Sequence, residues 1–458
     1  MLANWLSFLS LGLTIPVLAR VISTIVNPDG SDAVSPKSSI IGGDVEALDK
    51  ILTFLFCGAL GAISDVVGRK PLMAYSALGF SITCFLQARA SNSLALLYVA
   101  DLVDGVSSCM NNVCQAYVAD ASPPEKRAVR LGVFMGLSVA GAFILGMPLS
   151  AVLASKYGLR APMYAAAGVG LLNFAIITLL VPESLPPAQR KAKVEWRQAN
   201  PLGALKYVLA YVPAHAPFHV ASRTRAHGRT LPTHGTPYSV LTRPGHALTP
   251  RCRRRPWCRL LFNRTPLLRG SCAAFFLLFF GNACINSIFG NYVNHLFGWG
   301  PQESAPLLVL VGLMIAIAPA TLVPRLGLKR SMEYGSLVYA IGLMCTAFAK
   351  VPKTLVYSVL LSSLGCIAVP AMVAFIANQA ADDERGAVLG GIETLNELCL
   401  AIAHSTYGRT LALFISDSAP LALPGAPFVM ASAFLLASLA VIKRTLGAFP
   451  EAAARFLS

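Results

Sequence analysis

The chain predicts an all-α membrane protein, with twelve transmembrane helices in two pseudo-symmetric six-helix bundles. Three observations predict it: an apolar composition, a series of long apolar runs, and a sequence that repeats itself. Of 458 residues, 55% are hydrophobic and only 13% are charged, against about 25% charged in an ordinary soluble domain. So little charge cannot cover a water-facing surface of this size. Apolar runs fall near 3–26, 46–64, 72–89, 94–118, 131–154, 161–182, 269–291, 304–323, 332–349, 354–377, 387–411 and 425–442. About 20 apolar residues suffice to cross a bilayer. Each run must be helical, because backbone groups in hydrocarbon need partners within the span. The first run is too long for the apolar core of a signal peptide and lacks a basic leader, so it reads as the first span.

The repetition has two parts. Residues 119–132 (ADASPPEKRAVRLG) return at 377–390 (ANQAADDERGAVLG), 258 positions later, with Ala119/Ala377, Arg127/Arg385, Leu131/Leu389 and Gly132/Gly390 in register. Residues 65–78 (DVVGRKPLMAYSAL) return at 324–337 (PRLGLKRSMEYGSL) with an offset of 259, keeping Gly68/Gly327, Lys70/Lys329, Met73/Met332 and Tyr75/Tyr334. Two echoes at almost one offset point to a duplicated chain with both halves running in the same direction. The expected division is a first bundle at 1–182, a loop at 183–268, a second bundle at 269–445 and a tail at 446–458.

Charge sets the expected orientation. With the amino terminus in the cytoplasm, the cytoplasmic loops and tail carry 28 of the 37 Lys and Arg residues, leaving 9 elsewhere. Both termini are therefore placed inside. The formal charge of +16 reflects this topology and one basic loop, so nucleic acid is not an expected partner. The lipid bilayer is, and a monomer is the expected state.

Residues 208–262 read differently from their surroundings. They lack Asp, Glu, Lys, Asn, Gln, Ile and Met, yet hold nine Arg and five of the seven His. One reading is a disordered cytoplasmic loop, extended by Pro and like charge. The other, favoured by the loss of whole residue types, is translated non-coding sequence. The sequon Asn263-Arg264-Thr265 falls in the same loop and is not expected to be glycosylated.

The segment GAISDVVGRK joins the second and third runs. Gly61 is expected to admit a neighbouring helix, Gly68 to make the tight turn, Arg69 and Lys70 to hold the loop on the cytoplasmic side, and Asp65 to pair with them or with a helix end. This spacing resembles the signature loop of the major facilitator superfamily. LYVADLVDGVSSCMNNVCQAYVADASPPEKRAVRLG (97–132), VPESLP (181–186), WRQANPLGALKYV (196–208) and PGAPF (424–428) resemble its branch of bacterial tetracycline/proton antiporters and eukaryotic hippocampus-abundant-transcript-like carriers. The resemblance covers about 1–208 and 262–445. It implies a carrier that alternates access to a central cavity, with Asp65 helping to hold an outward-facing state. Departures stand beside it. Asp101 occupies a place where relatives usually have Arg, the fifth-span pattern survives only as Gly141-x4-Gly146-Met147-Pro148, and Pro324 replaces Asp65 in the second half.

Ionisable residues inside spans point to function by default. On the fourth span Asp101, Asp104, Ser108, Asn111 and Gln115 fall within about 80° of arc on a continuous helix. That makes a polar stripe expected to line a substrate cavity, or to glue helices together. Glu393, Asn396, Glu397 and His404 form a similar stripe on the eleventh. Two carboxylates at i,i+4 repel each other, which suits a proton carrier, although Glu393 near the cytoplasmic end could instead be solvated. Asn282 and Asn286 on the seventh span are a weaker cavity pair. Arg20 is either an anchor at the outer face or a binding cation.

Nothing predicts catalysis. No phosphate-cradling loop, nucleophile–base pair, cofactor motif or metal-ligand spacing occurs, and nine of the eleven cysteines lie within spans as packing residues. Two functions remain: a secondary active transporter of a small organic solute, with or without proton coupling, and a non-transporting sensor or scaffold derived from a carrier.

Overall fold

In the computed structural model the described residues are 1–90, 93–122, 141–194, 265–380, 385–419 and 423–457, with single positions at 130, 134, 138 and 421. The basic segment 208–262 lies outside them. Ten helical stretches among the described residues are long and apolar enough to cross a membrane. In chain order the helices are α1 (Leu2–Val26), α2 (Pro36–Val67), α3 (Arg69–Arg89), α4 (Leu94–Ser107), α5 (Met110–Asp120), α6 (Met147–Tyr157) and α7 (Ala161–Leu180). The second half continues with α8 (Pro266–Phe297), α9 (Pro301–Ala347), α10 (Pro352–Gly365), α11 (Ala368–Asn378), α12 (Arg385–Ile415), α13 (Ala426–Ala448) and the short α14 (Pro450–Ala454).

These helices account for eleven of the twelve predicted spans, and α6 lies in the described part of the fifth. The 47-residue α9 holds two of them, the eighth and ninth, separated where Gly327 leaves helical geometry at φ 75°, ψ 162°. Gly68, its counterpart between α2 and α3, has φ 120° and ψ 163°. A residue with a Cβ rarely adopts such φ values, so one glycine makes each turn. The fourth and tenth spans are each divided into two helices, α4/α5 at Ser108-Cys109 and α10/α11 at Cys366-Ile367. The two divisions are 258 positions apart, the offset of the sequence echo.

Local chemistry sets several boundaries. Pro36 opens α2 behind a capping box, in which the Ser35 side chain accepts from the Ser38 amide and Ser38 Oγ accepts from the Ser35 amide. Thr265 caps α8 ahead of Pro266, accepting from the Leu268 amide at 3.1 Å. Gly141–Gly146 is wound as a π-helix leading into α6, where Pro148 sits in the first turn. A wider turn at this position fits a proline that cannot donate a backbone hydrogen bond.

Lipid tails are as apolar as Leu, so helices here are held by close packing and buried hydrogen bonds. The second half has a continuous buried core that includes Phe275, Tyr292, Tyr339, Phe375, Tyr407 and Phe428. Within it Tyr292 OH donates to the Thr346 carbonyl at 2.7 Å, and Tyr407 OH to that of Phe280 at 2.9 Å. In the first half Ser81 Oγ reaches the Ala167 carbonyl and Asn173 Nδ2 that of Ala3. Each such bond contributes about 0.6 kcal/mol on average. Large apolar residues such as Leu179, Leu180, Ile317 and Tyr357 are exposed on the outside, where a bilayer would cover them.

Candidate functional site

The turn at Gly68 carries a compact ionic network. Asp65, in the last turn of α2, pairs with Arg69 at 2.7 Å and with Lys191. Arg69 also reaches Asp120 at the end of α5, at 3.1 Å, and donates to Ser64 Oγ at 2.5 Å. Glu183, just beyond α7, accepts from the amides of Arg69 and Lys70 at 2.9 and 3.2 Å and so caps α3. Burial alone would raise the Glu183 carboxyl. The amides of Leu185, Arg69 and Lys70, with Arg190 beside it, outweigh that and hold it below its ordinary range.

Arg69 is buried among these acids, and its pairing with Asp65 is one of the arrangements expected of the loop. Among the described residues nothing lies within 4 Å of where a Cβ on Gly61 would be.

Farther along α2 a second group of charges fills the interior. Glu46, Asp49 and Lys50 sit on α2, with Lys50 Nζ 2.7 Å from Asp49. Close packing aligns the neighbours. A Cβ on Gly105 of α4 would lie 2.9 Å from the Asp49 carbonyl, and one on Gly43 of α2 2.6 Å from the His404 carbonyl of α12. Three helices are thereby held side by side. Asp104 of α4 lies within electrostatic reach of Asp49, Lys50, Glu46 and Glu397. Asp101 lies within electrostatic reach of Glu46, Asp49 and Asp104, and accepts from Gln87 Nε2 at 3.0 Å. Across the seam Glu397 lies within electrostatic reach of Lys50 and Asp49, Glu393 of Glu397, and the buried His404 of Lys50.

Asp101, Asp104, Glu393 and Glu397, singled out on two separate spans, thus come together around α2. Glu46, Asp49 and Lys50 were missed, because the second span was expected to begin at 46. Helix α2 begins ten residues earlier, which places Lys50 inside. The capping pair Ser35 and Ser38 around Pro36 was the available signal.

The continuous polar stripe on span four is also corrected. Ser108 (φ −71°, ψ 87°) and Cys109 (φ −137°, ψ 2°) break the helix. The amides of Cys109 and Met110 turn to Ser76 Oγ of α3 at 3.3 and 3.1 Å. Ser108, Asn111 and Gln115 therefore do not continue the face that carries Asp101 and Asp104. Among the described residues Asn111 Oδ1 and Gln115 Nε2 are buried without partners, as are Asn396 Oδ1 and Glu397 Oε2. Asn282 accepts from Tyr339 OH at 2.8 Å and so ties helices within the second half, while Asn286 is exposed.

At the end of the molecule away from Gly68 the halves are joined directly. Ser39 Oγ donates to the Gly408 carbonyl at 3.1 Å, and a Cβ on Gly408 would lie 3.2 Å from Gly43 Cα. Asp44 accepts from Arg409 at 2.5 and 2.9 Å and from Ser405 Oγ at 2.9 Å. The Val34 amide donates to Asn294 Oδ1 at 3.1 Å. Arg20 pairs with Asp32 here, lining a cavity of about 420 Å³ between the halves together with Gly300 and Glu303.

Two helical bundles, closed against each other at one end and sharing an ionisable interior, define a polytopic membrane carrier. The chain belongs to the Major Facilitator Superfamily, whose family model matches residues 1–322. Members are transporters rather than enzymes. The chain is 24% identical to human (Homo sapiens) hippocampus abundant transcript-like protein 1 over 432 residues, 90% of this chain and 74% of that one. It is also 24% identical to the class C tetracycline resistance protein of Escherichia coli over 448 residues, 96% and 94% of the two chains. The crystal structure of the human organic anion transporter MFSD10 (TETRAN) superimposes with a TM-score of 0.64 at 19% identity, covering 96% of this chain and 97% of that one.

Proposed function

We propose that this chain is a secondary active transporter that moves a small organic solute by alternating access, with proton coupling through Glu393 or Glu397 supported by Asn396. One observation carries the reading. Asp104 of the first half and Glu397 of the second lie within electrostatic reach of the same lysine on α2, where α2 packs directly against both α4 and α12, so a change of charge at this point acts on both sides of the seam that must open. Two like charges about 6 Å apart repel by about 2–3 kcal/mol at an effective dielectric constant near 20. Taking up or releasing a proton there shifts the balance between two arrangements of the halves.

The Lys and Arg asymmetry supports cytoplasmic termini, a first bundle at 1–182, a cytoplasmic loop at 183–268, a second bundle at 269–445 and a cytoplasmic tail at 446–458. The Gly68 turn, with Gly61, Asp65, Arg69 and Lys70, is then the cytoplasmic gating loop. The Asp44–Arg409 end is the closed outer side. The proposed solute path follows Asp101 and Asp104 to Ser108, Asn111 and Gln115, with Asn282 and Asn286 across from them.

The test is uptake into proteoliposomes over a broad solute panel under an imposed pH gradient. Accumulation by the parent protein is expected to be lost in Glu393→Gln or Glu397→Gln, with exchange partly retained. If both variants accumulate solute as the parent does, the proton role is overturned. If folded parent protein moves no solute, the carrier reading falls and the sensor or scaffold reading takes its place.

A further inference from the structure

We infer that the solute is an organic cation with N–H donors, an ammonium or amidinium on a small apolar frame, and that it takes the place Lys50 holds beside Asp49 and Glu397. The inference rests on the carrier reading above.

Six carboxyl groups, Glu46, Asp49, Asp101, Asp104, Glu393 and Glu397, lie within electrostatic reach of one another as a chain, and among the described residues Lys50 is the only Lys or Arg within it, 2.7 Å from Asp49. Even with several acids protonated, a positive charge is the partner that this interior favours. The polar atoms left without partners agree. His404 is only 6% exposed and lies within electrostatic reach of Lys50, and its Nδ1 has no partner among the described residues. Glu397 Oε2 and Asn396 Oδ1 are likewise buried and without a partner among the described residues. The amide oxygen only accepts, an ionised Glu397 accepts at both oxygens, and a neutral imidazole accepts at one nitrogen. With Glu397 ionised, the site offers acceptors that an ammonium or amidinium satisfies and a carboxylate does not.

A metal ion fits less well, since no group of three His, Cys, Asp or Glu side chains converges as a ligand set among the described residues. Lys50 explains how the site persists without solute. Its side chain is 25% exposed, while that of the Asp49 it neutralises is 8% exposed, and its four-carbon stem lets the ammonium swing aside. Lys50 is an internal competitor that the solute displaces.

The test uses purified full-length protein and a matched probe set: phenethylammonium and benzamidinium against 3-phenylpropionate and benzamide. Binding is read by the shift in thermal unfolding temperature and by titration. The two cations are expected to stabilise the protein and the anion and amide to leave it unchanged. Lys50→Gln is expected to tighten cation binding about tenfold, the equivalent of about 1.4 kcal/mol. Lys50→Arg, which keeps the competitor, should return it to the parent value even if the glutamine variant folds poorly. Glu397→Gln should weaken it about tenfold.

Preference for 3-phenylpropionate, equal response to all four probes, or no response to either cation overturns the inference. So does a Lys50→Gln variant that binds cations more weakly than Lys50→Arg. Flux measured in the same preparation separates the two readings. Transport of anionic or neutral solutes alone would keep the carrier and remove the cation. Cation binding without flux of any solute would do the reverse.

Discussion

The turns at Gly68 and Gly327 have nearly the same ψ and a positive φ, and almost nothing else in common. Around Gly68, Asp65, Arg69, Asp120, Glu183 and Lys191 are joined by ion pairs and helix-capping hydrogen bonds. The positions that match Asp65, Arg69 and Asp120 in the second half are Pro324, Leu328 and Asn378. Among the described residues no carboxylate pairs with Arg325, Lys329 or Arg330. A duplicated backbone turn thus requires only glycine. The charges were fitted to one copy, where they hold α2, α3, α5 and the segment after α7 as one unit. That difference fits a gate whose first half moves as a rigid block.

Removing Arg69 is the strongest way to break this asymmetry. Arg69→Met leaves the partly exposed Asp120 without its cation and removes the charge-assisted hydrogen bonds of a buried guanidinium, each worth about 1.5–3 kcal/mol. Thermal unfolding in detergent should fall sharply, while Arg325→Met in the other half should change little. An equal response in both halves would mean that the network is not what stabilises the first turn.

The glycines themselves come next. Gly68→Ala meets both an unfavourable φ and the Glu183 carboxylate, whereas Gly327→Ala has nothing within 4 Å. Both lie in a positive-φ, extended-ψ region essentially reserved for glycine, where another residue costs about 1–3 kcal/mol, so Gly68→Ala should be the more damaging by about 1 kcal/mol or more.

Acid should act on only one turn. The folded Glu183 carboxyl lies below its unfolded value of 4.5, so its stabilising contribution is present above about pH 4.5 and is lost as pH falls through the folded value. Unfolding measured from pH 6 down to pH 3 should show this loss in the parent and a shallower slope in Glu183→Gln. The same slope in both would exclude Glu183 as its source.

The smallest effect is expected at the opposite end. The Asp44–Arg409 pair is partly exposed, and such pairs contribute at most about 1 kcal/mol. That is enough to shift two arrangements by about fivefold. Asp44→Asn should leave thermal stability nearly unchanged while raising the labelling of a cysteine introduced at Glu46 from the outer side. Unchanged labelling would mean that other contacts keep this end closed.

The span positions were legible because a bilayer demands length and apolarity, and the duplication was legible because both turns need glycine. The family could be read from the same loop. The interior was only half legible. Asp101, Asp104, Glu393 and Glu397 stood out as charges within apolar runs, but Glu46, Asp49 and Lys50 looked like the flank of a run, since hydropathy does not register the cap at Ser35. The break at Ser108-Cys109 was hidden for a different reason. It contains neither Pro nor Gly, and its freed amides are satisfied by Ser76 on another helix, a tertiary contact that no local window contains.

The crossing of α2 and α12 at Gly43 and Gly408 has a kinetic meaning. Where helices interlock through large side chains, parting them requires many rotamers to change together. Here two bare backbones lie against each other, and sliding or lifting them unlocks nothing. The joint behaves as a plain bearing whose clearance is one missing methyl group on each face. An alanine at either position would act as a permanent shim, propping the outer side apart without touching a charge.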